Sequence, residues 1–340
     1  MDWSKGITAE YYACFVDPVT WRDGDRIEIT GGNISKVNSG LRESADIDCR
    51  QYDSNREQWI RIYFNAKQSG DIEHVALFTG LTTCPSIDIK GVIKEYPLEC
   101  YSVLKPADDI VLQRGWYAPA GASGGTIIRQ LLMVTPAPVV VEDNSPTLTQ
   151  SIVAEDGETN LTMIDRILDV INWRMYMDGD GTIHVASKND ASVAEFGINY
   201  DVMEQDINIE HDWYQCPNVV SVTSNGQTAV VRDDSPDSML STVSRGREVW
   251  RIESDSELND GEGLIEYAYR KLHEEQSYLT KLSYDRRFEP NVNVGDRISL
   301  HYPEHDPAGD QWFVGTYVIE SQDLELGHNV KVSEEVYREN

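Results

Sequence analysis

The segment LTMIDRILDVINWRMYMDGDGTIHV, residues 161–185, contains two hydrophobic periods in succession. In its first part the apolar residues recur at helical spacing: Leu161, Ile164, Ile167, Leu168 and Ile171. Asp165 and Asp169 fall on the opposite face. Thr159 and Asn160 stand just ahead, where side-chain oxygens can accept hydrogen bonds from the first free N–H groups of a helix. This pattern predicts an amphipathic helix.

The second part of the segment has the two-residue period of a β-strand. Trp173, Met175 and Met177 alternate with more polar residues. The sequence DGDG at 178–181 supplies residues that tolerate positive φ, and residues 182–185 continue as a second strand. We therefore predict a helix that leads into a β-hairpin.

Length and composition limit the classes of protein that this chain can be. A chain of 340 residues can form two or three cores, since one core rarely extends beyond about 250 residues. No apolar run approaches the roughly 20 residues that span a bilayer, and the N-terminus does not read as a signal peptide. We expect a chain that folds in the cytoplasm without membrane insertion.

The chain is strongly acidic, with 58 Asp and Glu residues, 29 Lys and Arg residues and a net charge of −29. Proteins that grip DNA or RNA need a basic surface, so this charge argues against that class. It fits a surface that DNA passes without adhering, a solubilising surface or a saline host. The charge alone leaves these explanations open.

Five cysteines are far apart in the sequence: Cys14, Cys49, Cys84, Cys100 and Cys216. None belongs to a Cys-x-x-Cys pair, and His neighbours at metal-ligand spacing are missing. We predict reduced, buried thiols that behave as small apolar side chains.

Residues 1–105 contain short alternating segments about ten residues apart, separated by Gly and Asp turn signals. Residues 26–29 and 34–37 are predicted as two strands, because the Gly-Gly pair at 31–32 is a turn signal. This spacing predicts a β-barrel or sandwich over the first 105 residues or so.

The next region, residues 106–205, mixes both periods. Residues 105–115 are predicted to form a connection between the first and second regions. Residues 126–134 have helical spacing. A short strand is predicted at residues 139–141, and the helix and hairpin of residues 161–185 complete a smaller α+β domain.

Residues 206–340 return to strand patterns. The tripeptide Ser-Asn-Gly at 224–226 is a hairpin signal between two alternating segments. One helix is predicted at residues 263–277, and strands follow it to the end of the chain. We predict a second β-barrel-type domain with one helix.

The first and last regions share a short repeat. GDRIEI at residues 24–29 is echoed by GDRISL at residues 295–300, and Phe-Thr-Gly at 78–80 by Phe-Val-Gly at 313–315. Such short identities also arise by chance. We interpret them as traces of an internal duplication longer than a solenoid repeat.

The acidic turn and the histidines are the first candidates for chemistry. DGDG at 178–181 has Asp at alternate positions, but an EF-hand loop needs a Glu where this chain has Asn189. A second set lies in one segment: His301, His305, Asp306 and Asp310. Pro303 and Pro307 exclude the helix that a His-x-x-x-His zinc site uses. We predict a hairpin turn and a solvated loop.

The remaining candidates for a site are weaker. PAGASGGT at residues 119–126 lacks the Gly-Lys-Ser/Thr ending and the G-x-G-x-x-G spacing of phosphate loops. Carboxylates are abundant, yet none is singled out as a glycosidase pair. No G-x-S-x-G sequence or Cys–His arrangement indicates a nucleophile. We predict no catalytic, cofactor-binding or metal-binding residue, and no cofactor.

Four segments together resemble one family: residues 21–49, residues 95–104 with 119–132, residues 161–187 and residues 288–302. They are similar to the tail-tip or baseplate hub proteins of tailed bacteriophages and of phage-tail-like bacteriocins. The resemblance covers most of the chain, and its motifs are structural.

The resemblance implies two related β-barrel domains that flank the smaller α+β domain. It implies a homotrimer whose six barrels form a pseudo-hexameric ring around the DNA channel, below a sixfold tail tube. The implied partners are the tail tube or distal tail protein, a tip, spike or fibre protein, and the tape measure protein. DNA would pass through the lumen without specific binding.

We therefore expect a non-enzymatic virion component at the tail tip, assembled in the host cytoplasm. Because the sequence ends at Asn340, a long receptor-binding or peptidase extension is not expected. The alternative is a tail-associated cell-wall hydrolase or carbohydrate-binding module, for which Glu304 and Asp306 would be the residues to substitute.

Overall fold

The computed structural model is dominated by antiparallel β-sheet. It describes residues 2, 5–53, 56–83, 86–188, 193–198, 203–254, 258, 263–290, 292–300, 315–327 and 331–338. Within these residues, thirteen strands belong to one large sheet, accompanied by one two-stranded and two three-stranded sheets. The prediction of a β-rich chain with a few helices is confirmed.

Seven strands form the N-terminal half: β1 (Thr8–Val16), β2 (Asp23–Val37), β3 (Glu43–Cys49), β4 (Trp59–Gln68), β5 (Asp71–Thr82), β6 (Asp88–Lys90) and β7 (Ile93–Ser102). β1 pairs with both β2 and β4, so the order β1-β4-β5-β7-β3-β2 returns to β1. Six strands thus form a closed ring of hydrogen-bonded neighbours. Fully buried side chains on alternate positions, such as Ile60, Ile62 and Phe64, belong to its core.

The predicted turn at Gly31-Gly32 is wrong. β2 runs through both glycines as one 15-residue strand, with an irregular register between Ile29 and Gly31 in its pairing with β3. Gly32 has a φ of 151°, and a Cβ there would lie 2.4 Å from the carbonyl oxygen of Asp46. The glycine is needed because two backbones approach each other closely here. Glycine is also the residue typical of turns, so the sequence pattern does not distinguish the two cases.

Helices and short strands follow: α1 (Lys105–Asp109), β8 (Tyr117–Ala118), α2 (Gly124–Leu131), β9 (Val139–Val141), β10 (Ile152–Val153), α3 (Asn160–Ile171), β11 (Trp173–Met177) and β12 (Ile183–Ser187). The expected connection before residue 115 therefore contains the short helix α1. Thr159 caps α3 by accepting a hydrogen bond from the Thr162 N–H, and Asn172 ends the helix in the left-handed conformation, with a φ of 54°. β11 and β12 pair as a hairpin, so the predicted helix and hairpin are confirmed.

The C-terminal half contains β13 (Val193–Ile198), β14 (Met203–His211), β15 (Val219–Ser224), β16 (Gln227–Arg232), α4 (Thr242–Arg245), β17 (Trp250–Glu253), α5 (Leu264–Ser277), β18 (Thr280–Arg287), β19 (Arg297–Leu300), β20 (Gly315–Glu325) and β21 (Lys331–Arg338). Asn225 and Gly226 have φ values of 50° and 75°, which confirms the predicted hairpin turn between β15 and β16. α5 covers this small sheet. The four-residue helix α4 precedes the one helix that the sequence predicts.

Strand β2 joins the two halves of the molecule. Its residues 33–37 pair antiparallel with residues 321–325 of β20. β20 pairs in turn with β21, and the order continues through β18 to β14. One hydrogen-bonded sheet therefore extends from the N-terminal ring to the end of the C-terminal half.

The four described cysteines, Cys14, Cys49, Cys100 and Cys216, are buried and unpaired. Burial raises the pKa of the Cys49 thiol to about 12, which keeps it protonated at neutral pH. The prediction is confirmed for these four, while Cys84 lies outside the described residues. None of the helices in the described ranges combines the length and apolar character needed to cross a membrane.

The close approach at Gly32 can be tested by adding one methyl group. We expect Gly32→Ala to lower the free energy of unfolding by about 3 kcal/mol, because the new Cβ collides with the β3 backbone. Gly40→Ala is the matched control: Gly40 has a φ of 61° and nothing within 4 Å of its added Cβ, so it should lose only about 1 kcal/mol. Urea denaturation measures both, and equal losses would contradict the proposed contact.

Candidate functional site

Seven strands of the large sheet share one solvent-facing surface that spans both halves. Residues directly opposite each other on neighbouring strands point to the same face of a sheet, so cross-strand rows can be followed across it. One such row runs from β7 through β3, β2, β20 and β21 to β18: Glu99, Asp46, Asn33, Glu325, Lys331 and Arg287. We call the surface carried by β7, β3, β2, β20, β21, β18 and β14 the acidic face.

The next row of the acidic face mixes hydroxyls with carboxylates. It contains Ser44, Ser35, Asp323, Ser333 and Asp285 in that order. The Ser35 hydroxyl donates to Asp323, and the Ser333 hydroxyl donates to Asp285. Small donors between the acids reduce the repulsion that directly opposed carboxylates would have.

Carboxylates outnumber cations on the acidic face. Its described acids include Asp46, Asp48, Glu99, Asp206, Glu210, Asp285, Asp323, Glu325 and Glu335, and its described cations include Lys281, Arg287 and Lys331. Burial raises the pKa of Asp285, but hydrogen bonds from Lys331 and Ser333 outweigh it and hold the pKa below its ordinary value. Asp285 is thus ionised at neutral pH, and the C-terminal part of the face forms a shallow cavity of about 470 Å³.

The reverse side of the same sheet is buried. Arg286 and Glu334, with 1% and 0% of their side chains exposed, form an ion pair there. Glu334 also accepts hydrogen bonds from the Tyr284 hydroxyl (2.8 Å) and from Gln322 Nε2 (2.7 Å). Such a buried pair persists because its remaining lone pairs and protons are satisfied. It fixes the register of β18, β20 and β21 behind the acidic face.

The DGDG turn between β11 and β12 docks onto the N-terminal ring. The carbonyl oxygen of Asp180 accepts hydrogen bonds from Trp21 Nε1 (3.0 Å) and Arg61 Nη2 (2.8 Å). Thr79 Oγ1 donates to the carbonyl oxygen of Gly179 (2.7 Å). A Cβ on Gly179 would lie 1.8 Å from the Ala76 carbonyl oxygen. The turn therefore needs glycine for contact with β5 as well as for chain reversal.

The polar residues of α3 and β11 reach three further elements. Asp165 accepts a hydrogen bond from Arg42 Nη2 (2.6 Å), just before β3. Asp169 accepts one from Lys271 Nζ (2.5 Å) on α5. Arg174 Nη1 donates to Asp296 (3.1 Å), just before β19. Helix α3 and its hairpin thus contact the ring, the small sheet's helix and the C-terminal strands, and we call this set of contacts the junction.

The structure explains the other candidate residues by packing. Asp178 contacts His184 (2.6 Å), and Asp180 Oδ1 accepts from the Thr182 N–H (3.0 Å), as in a hairpin turn. In the segment 119–126, a Cβ on Gly124 would lie 2.9 Å from Ile171. These glycines let α2 approach α3 closely.

The four histidine and aspartate candidates between residues 301 and 310, together with Glu304, lie outside the described residues. Elsewhere in the described chain, no group of three or more His, Cys, Asp or Glu side chains is arranged to hold a metal ion. The sequence prediction that the segment after β19 is a solvated loop stays a prediction.

Solved structures share this fold over nearly the whole chain. A tail protein from Neisseria meningitidis MC58 superposes with a TM-score of 0.69 at 14% identity, covering 97% of this chain and 96% of that one. The 43 kDa tail protein of prophage MuSo2 from Shewanella oneidensis gives 0.67 at 13% identity, with coverage of 97% and 98%. No family model and no curated protein matches the sequence.

A third similar structure is the E. coli c3393 protein, a type VI secretion component described as similar to the T4 tail proteins gp27 and gp5. It gives a TM-score of 0.57 at 9% identity and covers 92% of this chain and 74% of that one. At such identities the similarity establishes the fold. The chain has the fold of phage tail proteins, which confirms at the level of fold the resemblance read from the sequence.

The contact between Asp169 and Lys271 predicts a dependence on pH. Burial raises the pKa of Asp169, but the charge and hydrogen bond of Lys271 outweigh it and leave the pKa lowered. The contact therefore stabilises fully above the unfolded-state pKa, near 3.8, and is lost as the pH falls through the lower folded-state value. We expect Asp169→Asn to cost about 1 kcal/mol at pH 7 and much less at pH 3.

Asp156→Asn is the matched control, because its side chain is 86% exposed and 4.0 Å from Arg114. It should leave the free energy of unfolding nearly unchanged at both pH values. Urea denaturation of wild type and both variants measures the effect. A loss for Asp169→Asn that is the same at pH 3 and pH 7 would contradict the charge-based contact.

Proposed function

We propose that this chain is a non-enzymatic structural component of a phage tail or phage-tail-like particle, acting as its tail hub. The observation that supports this most directly is the acidic face, a single surface built from both halves of a chain with a tail-protein fold. Three copies would arrange six related halves around a channel, with the acidic face toward the lumen. Closed symmetry of this kind matches a sixfold tube to a threefold tip.

The position of the repeated GDRI sequence supports the proposal of two barrel domains. The strands with the shared GDRI sequence, β2 and β19, occupy equivalent positions. Each pairs with the strand that opens its half (β1 or β13) and with the strand that follows it (β3 or β20). The β1 pairing is antiparallel and the β13 pairing parallel, so the two positions differ in strand direction. Six strands of the N-terminal ring would then correspond to β13, β14 and β18 to β21.

The proposed domain limits are 1–105, 106–205 and 206–340, although β13 and the first residues of β14 precede the last limit in sequence and belong to the large sheet. One continuous buried cluster extends from Val103 to Val185 and supports a separate middle core. Another cluster combines N-terminal ring residues with Leu324 and Val332, so the two barrel domains would share packing across the β2–β20 pairing. A small cluster beneath α5 would be an insertion within the third domain.

The proposed partners follow from the position of a hub. They are two further copies of this chain, the tail tube or distal tail protein, a tip, spike or fibre protein, and the tape measure protein. Localisation would be the virion tail tip. DNA would pass the acidic face without specific binding, because fixed carboxylates repel the phosphate backbone over distances of about 10 Å at moderate salt.

The trimeric arrangement has a direct structural test. Electron microscopy of tails that contain this chain should show three copies in a ring, with six similar density units and the acidic face lining the channel. A ring with the acidic face on the outside would contradict the proposal, as would a single copy per tail. Monomers in dilute solution would not, because ring formation can await contact with the tail tip.

The role of the acidic face predicts a gain of DNA binding on charge reversal. Asp46→Lys with Glu325→Lys would join Lys331 and Arg287 in one basic row, so we expect DNA affinity at least about tenfold above that of a control. The control is Asp109→Lys with Asp156→Lys, whose native side chains are 56% and 86% exposed and lie outside the large sheet. Fluorescence anisotropy with labelled duplex DNA measures both. Tight DNA binding by the wild-type protein would contradict the proposed non-adhesive surface.

A further inference from the structure

A cleft of about 620 Å³ opens where the junction meets the C-terminal strands. Its walls come from the end of α3, the start of β11, the C-terminal half of α5, and β19 to β21. Tyr278 and Tyr337, whose rings lie 4.6 Å apart, form part of its lining. The volume lies within the range of clefts that bind ligands or peptide side chains, about 300–1,000 Å³. We call it the junction cleft.

Cations from four different elements line the junction cleft: Arg174, Lys188, Arg270 and Arg297. Its carboxylates are Asp169, Glu274 and Glu275. Asp296, which binds Arg174, brings the acids to four as well, so the charges balance here, whereas the whole chain has 58 acids and 29 bases. Because exposed charges more than about 8 Å away are largely screened at physiological salt, an anionic segment meets less repulsion at this cleft than on the acidic surfaces of the chain.

Two arginines of the cleft, Arg174 and Arg270, are held in place before any ligand arrives. Arg174 is fixed by its hydrogen bond to Asp296, and its guanidinium lies 4.9 Å from the centre of the Tyr176 ring. Its Nε is buried, and within the described chain no acceptor reaches it. A Cβ on Gly295 would lie 3.3 Å from Arg174 Nη1, so this glycine makes room for the guanidinium.

Arg270 is also positioned. It donates to Glu274 (3.1 Å), and its guanidinium lies 4.8 Å from the centre of the Tyr267 ring. An arginine held by an aromatic face and a carboxylate loses little side-chain entropy when it binds a further acceptor. Planar guanidinium groups suit carboxylates, which they bind through paired N–H donors.

We propose that the junction cleft binds an acidic segment of a partner protein, with its carboxylates held by Arg270, Arg297 and Arg174. The acids in the walls select the type of anion. A continuous polyanion such as DNA would bring phosphates against Glu274 and Glu275, while a peptide can place single carboxylates at the arginines and uncharged side chains elsewhere. The paired tyrosines offer an apolar surface for those uncharged side chains.

The test uses the full chain and a fluorescein-labelled peptide with alternating Glu and Leu residues. We expect saturable binding by fluorescence anisotropy that weakens as salt rises. Arg270→Gln with Arg297→Gln should weaken it about tenfold or more, since charge-assisted hydrogen bonds are lost. The control, Arg50→Gln with Arg114→Gln, makes the same change of net charge at side chains that are 66% and 91% exposed, and should change the affinity less than about twofold.

A second readout separates the cleft from general folding effects. Thermal melts of both double variants should resemble the wild type, and Tyr278→Ala should weaken peptide binding without abolishing the arginine-dependent salt effect. Equal losses for the cleft and control variants would overturn the proposal. So would tighter binding of inorganic polyphosphate or duplex DNA than of the peptide, because the cleft would then be a phosphate site. None of these outcomes depends on whether the chain forms a trimeric ring.

Discussion

The docking of the α3 helix and its hairpin onto three other parts of the molecule is the constraint on which this architecture depends. The Asp180 carbonyl oxygen binds Arg61 and Trp21 of the ring, while Asp169 binds Lys271 of α5. Each contact is a single charge-assisted or backbone hydrogen bond, worth about 1–3 kcal/mol. Together they determine how the separate cores are oriented.

That orientation matters because the halves are joined by sheet rather than by a flexible linker. The β2–β20 pairing covers only residues 33–37 and 321–325, and a two-strand contact alone permits twist. The junction restricts this twist through Arg42, just before β3, and Asp296, just before β19. The acidic face is therefore continuous because the junction fixes the two halves relative to each other.

Local features of this fold could be predicted from the sequence, and distant contacts could not. The helical and two-residue periods of residues 161–185 gave the correct helix and hairpin, because those patterns reflect burial of neighbouring residues. Asp165 and Asp169 read as solvent-facing, since their partners Arg42 and Lys271 are more than a hundred residues away. No local pattern encodes such pairs.

The wrong turn prediction at Gly31-Gly32 also results from a contact with a distant part of the chain. Gly32 and Gly179 read as turn formers, and only Gly179 lies in a turn. Both are required where another backbone approaches within contact distance. A residue without Cβ serves both needs, so sequence alone cannot separate a chain reversal from a close approach. The acidic face was not predicted from the sequence either. Its alternating Ser, Asp and Glu residues can be recognised as one surface only when the order of the strands is known.

The distribution of charge across the molecule bears on the explanations that composition left open. Carboxylates opposed across strands, such as Asp46 and Glu99, destabilise a sheet, and mixed charges on that face would be more stable. The chain nevertheless places cations such as Arg42, Arg61 and Arg174 at the junction. The excess of acids over cations on the acidic face fits a surface that a polyanion passes.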